Sequence, residues 1–247
     1  MSTIIALIPA RYESVRFPGK ILACRTGKPL IQHVCERAAE SRLVQRIIVA
    51  TDSPKIAAAV RGFGGESIMT SAAHPNGTSR IAEAARGMEA DIIVNLQGDE
   101  PQLDAEHIDR TVQVLIDHPE APMATLVSPF AADEDPADPN IVKAVVDARG
   151  FARSFTRRYE PQAPGAAAGL RHLKHIGLYV YRAAFLQTYV NLAPTPLEQA
   201  ERLEQMRVIE HGYPIVVAEG EVRHHGIDTP AQYDEFVRWH EAHAADH

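Results

Sequence analysis

The chain has 247 residues, with 25 Lys and Arg against 32 Asp and Glu, giving a formal net charge of −7. An apolar fraction of 45% and a charged fraction of 23% belong to a globular protein and exclude a disordered chain. No apolar run approaches the roughly 20 residues of a membrane helix, the acidic balance argues against a nucleic-acid partner, and two cysteines, Cys24 and Cys35, form neither a disulfide framework nor a zinc motif.

The apolar start of the chain has no basic residue before it and is closed early by Arg11, so it does not read as a signal peptide. With reduced thiols, the expectation is a cytoplasmic protein. Residues 3–9 are β-rich and predict a buried strand, followed by a basic loop over 10–20. A helix is expected over 29–40, a strand over 46–51, and a helix over 54–61 with Pro54 in its first turn. A short strand over 67–70, a helix over 77–87, a strand over 91–96 and a helix over 104–117 complete the first half. Strands alternating with helices, without hairpin turns, predict an α/β fold with a mostly parallel central sheet covered on both faces.

The second half is less regular. Strands are expected over 123–128, 141–147, 151–157, 175–181 and 214–219, and helices over 197–210 and 229–243. Residues 146–150 contain a turn able to reverse the chain, and 161–169 read as an exposed Pro/Ala/Gly-rich loop. No linker divides the chain, so 1–247 reads as one domain.

Ligands of open α/β sheets bind outside the carboxyl ends of the strands. Two loops stand there. The first holds Arg11, Arg16 and Lys20 within ten residues, a composition suited to a polyphosphate, with a solvated basic loop as the alternative. It is neither a Walker A loop nor a G-x-G-x-x-G turn, which disfavours a nicotinamide dehydrogenase. The second, Asn95-Leu96-Gln97-Gly98-Asp99-Glu100-Pro101, offers Asp99 to Mg²⁺, a hard cation that takes one or two carboxylates plus phosphates. A second carboxylate, Asp228 in Gly226-Ile227-Asp228-Thr229-Pro230, is either a metal ligand or the cap of the last helix. Arg80 precedes or opens a helix where an anion could dock. His175 and Tyr179 share a strand face, and Glu201 and Gln205 stand at i, i+4.

Ile8-Pro9-Ala10-Arg11-Tyr12 followed by Arg16-Phe17-Pro18-Gly19-Lys20 resembles the opening of the sugar-acid cytidylyltransferases, best the 3-deoxy-manno-octulosonate (Kdo) cytidylyltransferase family. The likeness continues in order through Gly27-Lys28-Pro29, Ala50-Thr51-Asp52, the blocks 74–80, 94–101 and 175–182, Leu203-Glu204-Gln205-Met206-Arg207 and 226–230. The resemblance implies a Rossmann-like nucleotidyltransferase fold with a small lobe around 130–195 that makes a homodimer. It implies transfer of CMP from CTP to an acidic acceptor with release of pyrophosphate, assisted by Mg²⁺. On the matching motifs, Ala10, Arg11, Lys20 and Asp99 would hold CTP, and Asp99 and Asp228 the metal. Arg16, Arg80, Gln97, Arg157, His175, Tyr179, Glu204 and Gln205 would line the acceptor pocket.

The chain departs from the family pattern at several places. Ser79 replaces an acidic residue, Thr156-Arg157 is followed by Arg158, and Arg223, His224 and His225 replace small neutral residues before Gly226. Each change removes negative charge or adds positive charge. A phosphonate acceptor such as phosphonoformate is therefore the alternative to Kdo, and a non-catalytic nucleotide-binding regulatory protein is the alternative of another class.

Overall fold

A computed structural model describes residues 2–14, 16–159 and 169–243. The loop expected over 161–169 lies outside the described residues except for Gly169. The chain forms two compact units, one of residues 1–108 with 224–247 and the other of Asp109–Arg223. The span 130–195 falls within the second.

In the first unit, β1 (Ile4–Ala10) pairs in parallel with β2 (Arg46–Thr51) and β4 (Ile92–Leu96), and β2 pairs in parallel with β3 (Glu66–Met69). The register runs Leu7↔Ile48 and Leu7↔Asn95. All five residues of β4 are buried, as are all but one of the seven of β1. Such continuous apolar runs belong to strands covered on both faces. Helices α1 (Leu30–Ala39), α2 (Pro54–Gly62) and α3 (Gly77–Ala84) connect the strands. Ser53 caps α2 by accepting from Ile56 N, with Pro54 at the first helical position, and Asn76 caps α3 by accepting from Ser79 N at 2.8 Å. After β4, helix α4 (Ala105–Asp117) carries the chain into the second unit.

There the strands are β5 (Met123–Ser128), β6 (Lys143–Val146), β7 (Phe151–Thr156), β8 (Arg171–Arg182) and β9 (Ile215–Glu219). β8 is antiparallel to β5 and β6, and β7 is antiparallel to β6 and β9. Among the described residues of this unit, only the β5–β9 pairing is parallel. These pairings form a closed circuit, because β8 is long enough to serve β6 with residues 171–174 and β5 with 174–181.

The expectation of a mostly parallel sheet is thus corrected: the sheet is mixed. Local turn chemistry is the reason. Asp147 Oδ1 accepts from Arg149 N and Phe151 N at 2.9 and 3.0 Å, and Gly150 takes φ 81°, so β6 and β7 form a hairpin. The helix expected over 197–210 is also two helices. α5 (Ala183–Tyr189), which the sequence pattern does not announce, precedes them, and α6 (Pro196–Glu201) is separated from α7 (Met206–Glu210) by Arg202 at φ 55°. The chain ends in α8 (Pro230–His243), which packs in the first unit through Tyr233, Phe236 and Val237 against Leu30 and Ile227.

Candidate active site

The loop after β1 is folded back on itself. Gly19 N donates to Tyr12 O at 3.1 Å, and Gly19 adopts φ 71°, a conformation glycine takes without strain. The Tyr12 ring covers Gly19 and carries Lys55 Nζ 4.8 Å from its centroid, a cation–π contact. This turn delivers Lys20, at the start of a short 3₁₀ turn (Lys20–Leu22), into the interior, where its side chain is only 10% exposed.

Lys20 Nζ donates to Asp99 Oδ2 at 2.7 Å, to Asp228 Oδ1 at 3.2 Å and to Ile227 O at 2.7 Å. The two far-separated aspartates therefore meet on one ammonium. Two further features bring them there. Ile227 N donates to Asp99 O at 2.9 Å, joining the two loops through their backbones. At Gly98 an added Cβ would stand 3.1 Å from Ile21 Cδ1 and 3.3 Å from Pro9 O, a tight fit in which any larger residue would push on its neighbours. Arg16, exposed, reaches the other oxygen of Asp228 at 2.8 Å.

Asp228 is not the helix cap. Thr229 caps α8: its Oγ1 accepts from Gln232 N at 3.3 Å, while Gln232 Oε1 accepts from Asp228 N and Thr229 N at 2.8 and 2.9 Å. This is a capping box, and Thr229-Pro230-Ala231-Gln232 is the sequence signal that announces it. The carboxylate of Asp228 is left free for Lys20 and Arg16.

Glu100, beside Asp99, is a second feature that sequence reasoning missed. Its Oε1 lies beneath Gly226, where an added Cβ would come within 2.8 Å, and its Oε2 is 3.5 Å from His224 Nδ1. Burial pushes the Glu100 carboxyl upward, against the pull of His224. His224 Nδ1 is buried and, apart from this carboxylate, has no partner among the described residues.

The other candidates in the first unit sit as follows. Ala10 ends β1, buried, paired with Thr51, and Arg11 follows it, half-buried. Gln97 Nε2 donates to Asn95 Oδ1 at 3.3 Å. Arg80 is 0% exposed, donates to Thr70 Oγ1 at 2.7 Å and to Asp52 Oδ2 at 3.0 Å, and so ties α3 to the ends of β2 and β3, while its Nε is buried without a partner. Ser79 is engaged in the α3 cap, its Oγ donating to Asn76 O at 3.1 Å. A cleft of about 370 Å³ between α1 and α8, lined by His33, Trp239 and His240 among others, contains none of the expected site residues.

The remaining candidates belong to the second unit. His175 and Tyr179 share a face, their rings 5.4 Å apart. Thr125 Oγ1 donates to Leu178 O at 2.8 Å and must then accept from His175 Nε2 at 3.0 Å, which assigns the proton of the neutral ring to Nε2. Burial holds the His175 pKa down to about 3. The imidazole is therefore a neutral hydrogen-bonding group at physiological pH. Tyr179 OH donates to Gln205 Oε1 at 3.4 Å, and Gln205 Nε2 is buried without a partner. Arg157 is fastened to Glu201, its N to Oε2 at 3.1 Å and its Nε to the carbonyl at 3.3 Å. Lys143 Nζ holds the Arg157 carbonyl at 2.7 Å, with those of Asp138 and Ile141 at 2.7 and 2.9 Å. Tyr189 OH donates to Glu204 O at 2.8 Å.

The donor set suits a magnesium ion. Among the described residues no group of three or more His, Cys, Asp or Glu is assembled for a metal. Two carboxylates within the reach of one ammonium are what Mg²⁺ needs when phosphates supply the remaining ligands.

A family model described as Cytidylyltransferase matches residues 5–218. The chain is 49% identical over 238 residues to a 3-deoxy-manno-octulosonate cytidylyltransferase of Syntrophobacter fumaroxidans, covering 95% of each chain. It is 47% identical over 244 residues to the enzyme of that name from Geobacter metallireducens, covering 95% of this chain and 96% of the relative. The solved structure of CMP:2-keto-3-deoxy-manno-octonic acid synthetase complexed with CTP superposes with a TM-score of 0.91 at 41% identity, over 98% of this chain and 99% of that one. The convergent aspartates and the cationic turn thus stand in a nucleotidyltransferase-type α/β fold, and the chain belongs to the cytidylyltransferase family.

Proposed function

We propose that the chain transfers CMP from CTP to 3-deoxy-manno-octulosonate and releases pyrophosphate, with Mg²⁺ held by Asp99 and Asp228. It is a CTP-dependent nucleotidyltransferase, and its relatives carry the name of the Kdo enzyme. The observation that supports the site assignment is the convergence of Asp99 and Asp228 on Lys20.

In this reaction an acceptor oxygen displaces pyrophosphate in line at the α-phosphorus, so positioning and charge neutralisation dominate. Arg11 and Lys20 bind the triphosphate and offset the charge gathering on the leaving pyrophosphate. Magnesium, when bound, neutralises phosphate charge and lowers the pKa of a coordinated hydroxyl. Ala10 ends the strand whose backbone meets the nucleotide. On the family motifs, Arg16, Arg80, Gln97, Arg157, His175, Tyr179, Glu204 and Gln205 are assigned to the acceptor, Arg80 also bonding Asp52 and Thr70. The neutral His175 and the unpaired Gln205 Nε2 hydrogen-bond the acceptor rather than move protons. His224 is engaged with Glu100, and Ser79 with the α3 cap, so these two departures from the family pattern have structural uses that do not require a phosphonate. The homodimer and the cytoplasmic location belong to the same reading.

The test is pyrophosphate release from CTP with Kdo and phosphonoformate side by side. Turnover with Kdo, lost in Asp99→Asn and Asp228→Asn while both variants stay folded, is expected. Turnover with phosphonoformate alone overturns the acceptor, and near-normal rates in both variants overturn the metal assignment.

A further inference from the structure

Neither aspartate is rigid by its own bonds, since each belongs to a loop. What holds the segment 224–228 against the loop after β4 is the Ile227 N to Asp99 O bond, the Lys20 ammonium shared by Asp99, Ile227 O and Asp228, and the side chain of Glu100. Glu100 projects under the 224–228 segment. Its Oε1 lies where a Gly226 side chain would stand, and its Oε2 faces the buried, otherwise unpartnered His224 Nδ1. A buried carboxylate is costly unless a partner compensates it, so Glu100 and His224 favour one arrangement of the two loops.

We infer that Glu100, acting through His224 and Gly226, is a positioning residue that keeps Asp99 and Asp228 convergent. The inference rests on the proposed metal reading. Glu100 itself is no ligand: its oxygens face Gly226 and His224, and among the described residues the ion pairs of Lys20 are with Asp99 and Asp228. Its effect appears in how well the aspartate pair takes a divalent ion, and much less in CTP affinity measured without metal.

The full-length protein is titrated with Mn²⁺ in the presence of CTP, free Mn²⁺ being followed by electron paramagnetic resonance. CTP binding in EDTA and the melting temperature are measured alongside. Glu100→Ala and His224→Ala are expected to weaken Mn²⁺ binding about tenfold or more, and Glu100→Gln, which keeps the shape and one acceptor, to recover most of that loss. CTP binding in EDTA should change less than threefold. Gly226→Ala, which forces a Cβ toward Glu100, should weaken Mn²⁺ binding alone and lose part of its effect when combined with Glu100→Ala. If Glu100→Ala does not fold, His224→Ala and Gly226→Ala carry the test. Wild-type Mn²⁺ affinity in these variants, with Asp99→Asn impaired, refutes the positioning role alone. Wild-type affinity in Asp99→Asn refutes the metal reading beneath it.

Discussion

Replacing Lys20 by Met should strengthen the binding of a divalent ion to the nucleotide-free protein while weakening CTP. Lys20 Nζ lies 2.7 Å from Asp99 and 3.2 Å from Asp228, at the place a cation would take between the carboxylates. At an effective dielectric constant of about 20, the two contacts are worth about 6 and about 5 kcal/mol of Coulomb energy. The aspartates are 29% and 42% exposed, so solvent screening must reduce that figure severely. About 1 kcal/mol per contact survives the discount, about 2 kcal/mol together, which corresponds to about 30-fold in affinity. Mn²⁺ titration of the nucleotide-free protein, followed by electron paramagnetic resonance, should therefore show Lys20→Met binding 10- to 100-fold tighter, within the scatter such values carry. The same variant should bind CTP more weakly and turn over slowly. A folded Lys20→Met protein with unchanged or weaker nucleotide-free Mn²⁺ binding would show that the ammonium does not compete for the metal position.

Two other outcomes concern stability. Burial, with repulsion from His240, lowers the His33 pKa to about 4, and burial lowers that of His175 to about 3. The unfolded chain, with values near 6.5, binds more protons below that pH, so stability rises with pH across the window and is lost as pH falls through 6.5. Between pH 7 and 5 each imidazole should cost about 2 kcal/mol. The melting temperatures of His33→Gln and His175→Gln should fall less than the wild type's over that interval, and parallel falls would refute the burial argument. Lys143, buried against three backbone carbonyls, should be intolerant of Met: leaving those carbonyls unpaired predicts a loss of about 3 kcal/mol and a melting temperature lower by roughly 6–12 °C. A change under 2 °C would mean that water or a rearranged loop satisfies the carbonyls.

The first unit was legible because its signals are local. The apolar runs of β1, β2 and β4, the Ser53-Pro54 start of α2 and the Asn76 cap of α3 each act within a few residues. The second unit was less legible. Its strands were visible as apolar segments, but their direction depends on the Asp147–Gly150 turn and on β8 serving two partners. The break at Arg202 overrode a continuous helical pattern, and Arg202 itself gives no local warning, since its left-handed backbone is unusual for a residue other than glycine.

The site divides in the same way. Arg11, Lys20, Asp99 and Asp228 could be named from residue type and place, because phosphates and hard cations demand cationic turns and strand-end carboxylates. Their convergence on one point, the release of Asp228 from capping by Thr229 and Gln232, the burial of Arg80 against Asp52 and Thr70, and the place of Glu100 under Gly226 were tertiary facts. Sequence determines which groups a chain can offer. Which of them stay free depends on desolvation and on partners brought from distant parts of the chain, and those are decided only when it folds.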